Sequence, residues 1–320
     1  MSNNKKINIF LLIIAVVLFI FLPRFLSGYL VRVITTIFMY AVIAQGMNIM
    51  SGYMGYLPFG NAMFFGIGAY VTAIGMSKGL PFLLVVPLAA ITAILFSILL
   101  GIPVLRLRGH YFAIATIGMS GAILSVVQNA TDITGGAMGT TLPIIDKAPG
   151  VVYNYFYLAM LGLMVITSLS LHFIIKSRFG FGVRSIKANE EAANSMGINT
   201  TYHKVVAWAI SAFFTSIAGA LYAYWMSFIA PDEVFDVMIA VNTIVIMLIG
   251  GAGSILGPII GAFIIELFAE VAWSAFLEYH LAVLGIIIII IVFFVPKGVT
   301  GTIGDFVKRR KLRVGKKVSI

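Results

Sequence analysis

The chain contains no cysteine, and only 11 of its 320 residues are aspartate or glutamate. The absence of cysteine excludes disulfides and cysteine–metal sites. Charged residues make up 10% of the chain and hydrophobic residues 61%, whereas soluble domains average roughly 25% and 45–50%. The mean hydropathy is +1.08. This shortage of charge excludes an ordinary soluble domain and indicates that lipid or other apolar helices surround most of the chain.

Sequence signals for catalysis are also missing. There is no G-x-x-x-x-G-K-[ST] phosphate loop. The glycine-rich stretch 250–257 has no lysine and joins two apolar runs, so the chain should not hydrolyse ATP. His110, His172 and His203 lack metal-ligand spacing, and no catalytic His/Asp/Ser set is clustered. We therefore expect no catalytic residue, no metal site and no cofactor bound by this chain.

Long apolar runs predict an all-α integral membrane protein with about ten transmembrane helices. A helix that crosses a bilayer needs about 20 largely apolar residues. The candidate spans are roughly 7–22, 30–50, 59–76, 82–102, 111–128, 152–175, 205–228, 235–250, 255–275 and 280–296. The first begins after Lys5-Lys6 like a signal peptide, but it is bounded by 23–25 without a small-residue cleavage site, which favours a retained helix. The second and third spans could form one element broken at 52–58.

The distribution of basic residues predicts the orientation. With ten spans, both termini lie on one side of the membrane, and 17 of the 21 lysines and arginines fall on that side. The other side carries Arg24, Arg32, Lys78 and Lys147. Because cytoplasmic loops are enriched in Lys and Arg, this asymmetry places both termini in the cytoplasm.

The chain divides into a membrane domain, 1–300, and a basic tail, 301–320. The cytoplasmic loop 176–204 is the longest internal segment of the domain. Tail residues 308–311 are all basic and should bind anionic membrane lipid, at about 1 kcal/mol per charge. The net charge of +10 is thus explained by loops and tail at a membrane, and we expect no nucleic-acid partner.

Within the loop, 189–197 has the pattern of a short capped helix. Asn189 can cap it, Glu190 and Glu191 occupy the first turn where the helix dipole favours acids, and Gly197 can end it. Such a short helix is unstable alone in water. It must pack against either its own chain or a cytoplasmic partner, and the pattern does not decide between the two.

Polar residues inside apolar spans need hydrogen-bond partners. They could line a solute pathway or bond neighbouring helices. These residues are Gln45, Asn48, Asn61, Thr116, Asn242 and Thr243. Glu266 and Glu270 lie four apart, on one helix face. They could line the pathway, contact a second membrane subunit, or sit near the outer interface beside Glu278 and His280, which is the interpretation we favour.

Several motifs together resemble a known family. Glu191-Ala192-Ala193, followed by Gly197, resembles the EAA loop of ATP-binding-cassette (ABC) importer permeases. Segments similar to the LivM type of branched-chain amino acid permease are 48–55, 60–70, 107–116, 134–136, 177–180, 210–212, 218–222 and 250–258. Together they span about 40–300. Asn61 and Met196 depart from the family, which often has His and Leu there, and Asn61 weakens any inference about substrate.

The resemblance implies a permease subunit of an ABC importer in the bacterial inner membrane. Leucine, isoleucine and valine are the implied solutes; urea, another amino acid or nucleosides are alternatives, and a stand-alone channel or secondary transporter is a different class. The implied partners are ATP-binding subunits that hold ATP-Mg, a second homologous permease or second copy, and an extracytoplasmic solute-binding protein. The implied contact with the ATPase involves Asn189, Glu190, Glu191, Ala192, Ala193 and Gly197.

Overall fold

The computed structural model describes residues 14, 16–275, 279, 282, 285, 286 and 298–302, and it is an almost entirely helical bundle. The helices are α1 Gly28–Asn48, α2 Ala62–Ser77, α3 Phe82–Val104, α4 His110–Asn129, α5 Thr131–Thr134, α6 Pro149–Lys176, α7 Arg178–Ala188, α8 Glu190–Ser195, α9 Thr200–Met226, α10 Pro231–Val234, α11 Val237–Gly250 and α12 Gly257–Ala275. A π-helical turn, Ile49–Met54, extends α1, and short 3-10 turns occupy Leu22–Arg24, Phe59–Asn61 and Gly136–Met138.

Seven helices in the described part of the chain are long and apolar enough to cross a membrane. They confirm seven of the predicted spans and the all-α membrane class, but not the predicted count of ten. The predicted spans 7–22 and 280–296 lie partly outside the described residues: 16–21 are helical, and only 282, 285 and 286 of the last span are described. The remaining one, 255–275, is observed as helix α12, which carries two glutamates. The basic tail from 303 onward also lies outside the described residues.

The second and third spans are separate helices joined by a tight connection. Gly55 adopts a left-handed conformation, with φ 88°, immediately after the π-helical turn. Because glycine has no Cβ, it can end the helix in this way without steric cost. The chain then reaches Pro58 and begins α2. The predicted break at 52–58 is therefore a connection between two spans and not a kink within one.

Helix α9 lies at the centre of the bundle and packs against α1, α2, α3 and α6. Small residues allow its backbone to approach α2 closely: a Cβ on Gly68 would come within 2.0 Å of the carbonyl oxygen of Ser216. This is the packing by small residues that holds helices together in lipid. By contrast, α3 exposes leucines such as Leu83 and Leu99, as expected of a helix that faces lipid.

Arg32 lies near one end of the bundle and the segment 178–199 lies at the other. We call the first the cavity end, after a cavity described in the next subsection, and the second the loop end. At the cavity end, strand β1, Thr140–Thr141, pairs antiparallel with β2, Phe228–Ile229, and fastens the 130–148 connection to the end of α9. At the loop end, α7 and α8 lie between α6 and α9.

Candidate functional site

Helix α7 was not predicted, because its sequence resembles a basic, glycine-containing loop. Ser177 caps it by accepting a hydrogen bond from the N–H of Gly180. One face, formed by Gly180, Gly182, Val183 and Ile186, is buried against the bundle. A Cβ on Gly182 would come within 2.3 Å of the His203 ring, so glycine here permits close packing against α9. The loop 176–204 thus holds two helices, not the single one predicted.

The capped helix predicted at 189–197 is confirmed as helix α8, six residues long. The side chain of Asn189 accepts a hydrogen bond from the N–H of Ala192 at 3.0 Å, and Gly197 has a φ of 86°. Ala193 is buried against the bundle, whereas Ala192 is exposed. The helix is therefore held on its own chain by one face, and its other face is open.

Glu190 anchors α8 to the bundle through a buried cation. Its carboxylate lies 2.8 Å from the Nζ of Lys204, whose side chain is only 4% exposed. Lys204 also donates to the carbonyl of Leu105 at 2.7 Å, and the Tyr56 hydroxyl donates to Glu190. Burial by itself would raise the pKa of Glu190, but the hydrogen bonds from Lys204 and Tyr56 outweigh it and lower the pKa. Glu190 is therefore ionised at neutral pH.

Unlike Glu190, Glu191 has an exposed side chain. It forms an ion pair with Arg108 at 2.8 Å, and the two side chains are 78% and 58% exposed. Exposed pairs of this kind contribute about 0–1 kcal/mol. The pair therefore does little to hold α8 in place, and Glu191 remains accessible from outside the bundle.

The loop end also carries exposed apolar side chains. Met196, directly after α8, is 83% exposed, Phe181 on α7 is 64% exposed and Tyr202 in the first turn of α9 is 57% exposed. Phe181 and Tyr202 line a groove together with Phe179, Ile198 and His203, among others. Such a concentration of exposed apolar groups is typical of a contact surface.

A second set of contacts connects α7 to the membrane helices. Lys187 donates from its Nζ to the carbonyl of Gly52 at 2.6 Å. One turn earlier, the Asn48 amide accepts from the N–H of Gly253 at 2.9 Å and donates to the carbonyl of Ser254 at 2.7 Å. The α11–α12 connection is therefore hydrogen-bonded to the end of α1, close to Gly52, the residue that Lys187 contacts.

Five of the predicted pathway candidates make hydrogen bonds within or between helices. Gln45 donates to Ser168 and to the carbonyl of Ile255, and Asn48 is described above. Asn61 bridges to α9, where Ser211 donates to it at 3.1 Å and Thr215 accepts from it at 3.2 Å. Thr116 and Thr243 each donate to a backbone carbonyl of their own helix. Each of the five therefore has a partner inside the bundle, although the buried Oε1 of Gln45 has none among the described residues. Their role in a solute pathway stays a prediction.

The other three candidates border one cavity. It has a volume of about 520 Å³ and lies between α1, α9, α11 and α12. Asn242, Glu266 and Glu270 all line it, with Tyr40, Phe65 and Arg32 among the other lining residues. Glu270 accepts a hydrogen bond from the Tyr29 hydroxyl. The two glutamates thus border a cavity. The interpretation favoured from the sequence, a position near the outer interface beside Glu278 and His280, involves two residues outside the described ones and stays a prediction.

The sequence did not reveal four residues that organise the loop end: Lys187 and Lys204, Arg108, and Tyr56. The three basic residues contributed to the sequence prediction only through the number of positive charges on the cytoplasmic side. One signal was present for Lys204, because it follows the Thr200 start of an apolar helix and would need a partner once buried. Its partner could not be assigned from spacing.

Comparison with known proteins identifies the family. The profile of the family "Branched-chain amino acid transport system / permease component" matches residues 29–292. The permease protein LivM of a high-affinity branched-chain amino acid transport system from Salmonella typhimurium is 29% identical over 93% of this chain and 76% of its own length. LivH from the same organism is 28% identical over 82% and 91%. BraD from Pseudomonas aeruginosa is 26% identical over 82% and 91%.

No solved structure matches this chain. The family profile nevertheless covers more than four-fifths of it, including the loop-end contacts and the helices around the cavity. The chain is a multi-pass membrane protein and belongs to the family of permease components of branched-chain amino acid transport systems.

Proposed function

We propose that this chain is the permease subunit of an ATP-driven importer that moves leucine, isoleucine or valine into the cell. The substrate proposal rests on relatives whose names specify branched-chain amino acid transport. The observation that carries the coupling role is helix α8, which is anchored by Glu190 and presents Glu191 and the neighbouring Met196 outward. ATP hydrolysis takes place in separate subunits that bind ATP-Mg.

The proposed coupling route runs from α8 through α7 to the cavity. When the ATPase subunits close, they displace the exposed face of α8. Lys187 passes the displacement to Gly52, and Asn48 passes it to Gly253 and so to α11 and α12. ATPase closure can drive the permease only if the ATPase contacts helix α8 differently in its open and closed states.

The proposed partners follow from the same family. A second homologous permease, or a second copy of this chain, completes the pathway; LivM and LivH are both named as permease proteins of one kind of transport system, and this chain resembles both. An extracytoplasmic solute-binding protein delivers the amino acid. We place the complex in the bacterial inner membrane with ten spans, with both termini and the loop end in the cytoplasm. The basic tail lies against anionic lipid.

Labelled-leucine uptake at low concentration tests this function. The strains compared are the parent, a deletion of this gene, and the deletion complemented with wild type or with Glu191→Arg. We expect uptake to fall on deletion and only wild type to restore it. Glu191→Arg should still insert into the membrane, because Glu191 is exposed and contributes little to stability.

Arg108→Gln separates the ATPase contact from the ion pair with Arg108. This variant breaks the exposed pair but leaves Glu191 in place. If α8 acts by contacting an ATPase through Glu191, Arg108→Gln should keep most of the uptake that Glu191→Arg loses. Full uptake by Glu191→Arg alone would contradict the coupling role.

Other outcomes would change the substrate or the class. If deletion leaves leucine uptake unchanged, urea, other amino acids and nucleosides are the next solutes to measure. ATP-independent flux in liposomes that contain only this chain would identify a channel or secondary transporter instead.

A further inference from the structure

The cavity at the cavity end runs from charged residues at its mouth to polar residues halfway across the bundle. Arg32 lies in the first turns of α1, and Tyr40 lies eight residues further along, or about 12 Å deeper at 1.5 Å per residue. Glu266 lies at the middle of α12, one turn deeper than Glu270. Asn242 lies in the second turn of α11. Tyr40, Asn242 and Glu266 therefore form the floor of the cavity.

The lining is acidic, but most of its acids already have a partner. It contains four carboxylates, Glu233, Asp236, Glu266 and Glu270. Glu233 accepts from Tyr222, Glu270 accepts from Tyr29, and Asp236 caps the N–H of Met238. Among the described residues, Glu266 makes no hydrogen bond and no ion pair. A carboxylate at this depth in a membrane helix is costly and is typically found where it meets a cation, a solute or water.

The walls above the floor carry apolar side chains as well as hydroxyl groups such as those of Thr36 and Tyr222. Met39, Phe65 and Ile239 line the cavity beside the three polar floor residues. The volume of about 520 Å³ falls within the range of about 300–1,000 Å³ that small-molecule sites occupy. The combination of one carboxylate, one amide, one hydroxyl and apolar walls is complementary to a solute that carries an ammonium, a carboxylate and an aliphatic group.

We propose that this floor is a solute-binding site in which Glu266 accepts the ammonium group of a zwitterionic amino acid. Asn242 and Tyr40 donate hydrogen bonds to the solute carboxylate, and the apolar walls receive its aliphatic side chain. The identity of the solute as an amino acid rests on the proposed function. It adds a site within this chain, separate from any selection made by a solute-binding protein.

The first test is leucine uptake by Glu266→Gln, which removes the charge and keeps the shape. An ammonium bound to a carboxylate is a charged hydrogen bond, so its loss should lower uptake at limiting leucine by about tenfold to a hundredfold. The matched control is Asp146→Asn, which removes an exposed carboxylate in the connection before α6 and should transport like wild type. Equal uptake by both variants would overturn the proposal.

The second test does not depend on transport and uses the absence of cysteine. Ile239→Cys, in the complete transporter, places a single thiol of this chain on the cavity wall. A trimethylammonium-bearing methanethiosulfonate should label it faster than a sulfonate-bearing one. Glu266→Gln should weaken that preference, to which the other three lining carboxylates also contribute, and leucine should slow the labelling. The label is read by mass spectrometry of this chain.

The outcomes distinguish this site from the proposed function. If wild type does not take up leucine but the cation preference depends on Glu266, the proposed substrate fails and the cation-binding floor stands. If wild type takes up leucine and neither uptake nor the preference depends on Glu266, the site fails. Protection by sodium but not by leucine would make the floor an inorganic-cation site and overturn the proposal. So would a thiol that reacts in the isolated permease but not in the complete transporter, because the cavity would then be a permease contact.

Discussion

Lys204 and Glu266 are both ionisable side chains in helices of the bundle, but their surroundings are opposite. Lys204 is 4% exposed, pairs with Glu190 at 2.8 Å and donates to the Leu105 carbonyl. Glu266 borders a cavity of about 520 Å³ and has neither an ion pair nor a hydrogen bond to another described residue. At the loop end, the buried charge of Lys204 is paired within the chain. At the cavity end, Glu266 has no partner among the described residues.

The same contrast holds for the backbone at the two ends. At the loop end, the polar groups of Lys187 and Asn48 are hydrogen-bonded to Gly52 and Gly253, and a Cβ on Gly52 would lie 2.3 Å from the Gly253 nitrogen. At the cavity end, space remains between α1, α11 and α12. The structure is therefore closed at the loop end and open at the cavity end.

The first prediction breaks the pair at the loop end. Glu190→Gln leaves Lys204 with a buried charge and no counter-ion, which should lower the free energy of unfolding by roughly 3–5 kcal/mol. Thermal unfolding of the purified permease in detergent measures this. Because the folded-state pKa of Glu190 is lowered, the pair contributes stability above the ordinary carboxyl pKa, and that contribution is lost as the pH falls through the folded-state value.

The matched variant is Glu190→Gln/Lys204→Met, which removes both charges. Replacing a buried ion pair by neutral groups costs far less than removing one partner. The double variant should therefore recover most of the lost stability. A double variant as unstable as Glu190→Gln would show that the burial of Lys204 is not what makes Glu190 important.

Local signals predicted the parts of this molecule that depend on neighbouring residues. Apolar runs located seven spans, and Asn189 with Gly197 located both ends of helix α8. Helix α7 was missed because Gly180 and Gly182 reduce helix propensity. They are there because the backbone of Ile175 and the ring of His203 leave no room for a side chain.

Long-range contacts could not be predicted in this way. Asn48 and Gly253 are 205 residues apart, and residues of six helices line the cavity, whose order along the chain does not reveal their adjacency. The sequence showed that Asn48, Asn242 and Glu266 each needed a polar partner or a cavity. It did not contain a local pattern that separates the structural amide at 48 from the cavity-lining amide at 242.

The second prediction concerns the cost of the free carboxylate at the cavity end. Glu266→Leu should raise the free energy of unfolding by up to about 2.5 kcal/mol, because it removes a carboxylate from the middle of a membrane helix. The same thermal measurement applies, and Glu266→Gln should give a smaller gain. The expected change in the free energy of unfolding therefore has the opposite sign to that of Glu190→Gln. A loss of stability in Glu266→Leu would mean that the carboxylate has a favourable partner within the folded chain.

The third prediction tests how tightly the loop end is closed. Gly52→Ala would place a Cβ 1.8 Å from the Asn48 side-chain oxygen and 2.3 Å from the Gly253 nitrogen. The Asn48 amide would have to leave Gly253, so we expect a loss of about 1–3 kcal/mol in the free energy of unfolding. Leucine uptake should fall as well, because the proposed coupling route passes through this contact.

Gly162→Ala is the control for the loss of a glycine. Position 162 lies inside α6, where an added Cβ meets nothing within 4 Å. Alanine there should stabilise the helix by roughly 0.5–1 kcal/mol, because it has the higher helix propensity. The two substitutions are chemically identical and should differ in sign. If Gly52→Ala behaves like Gly162→Ala, the connection between α11 and α12 does not lie against α1 as closely as the closed loop end requires.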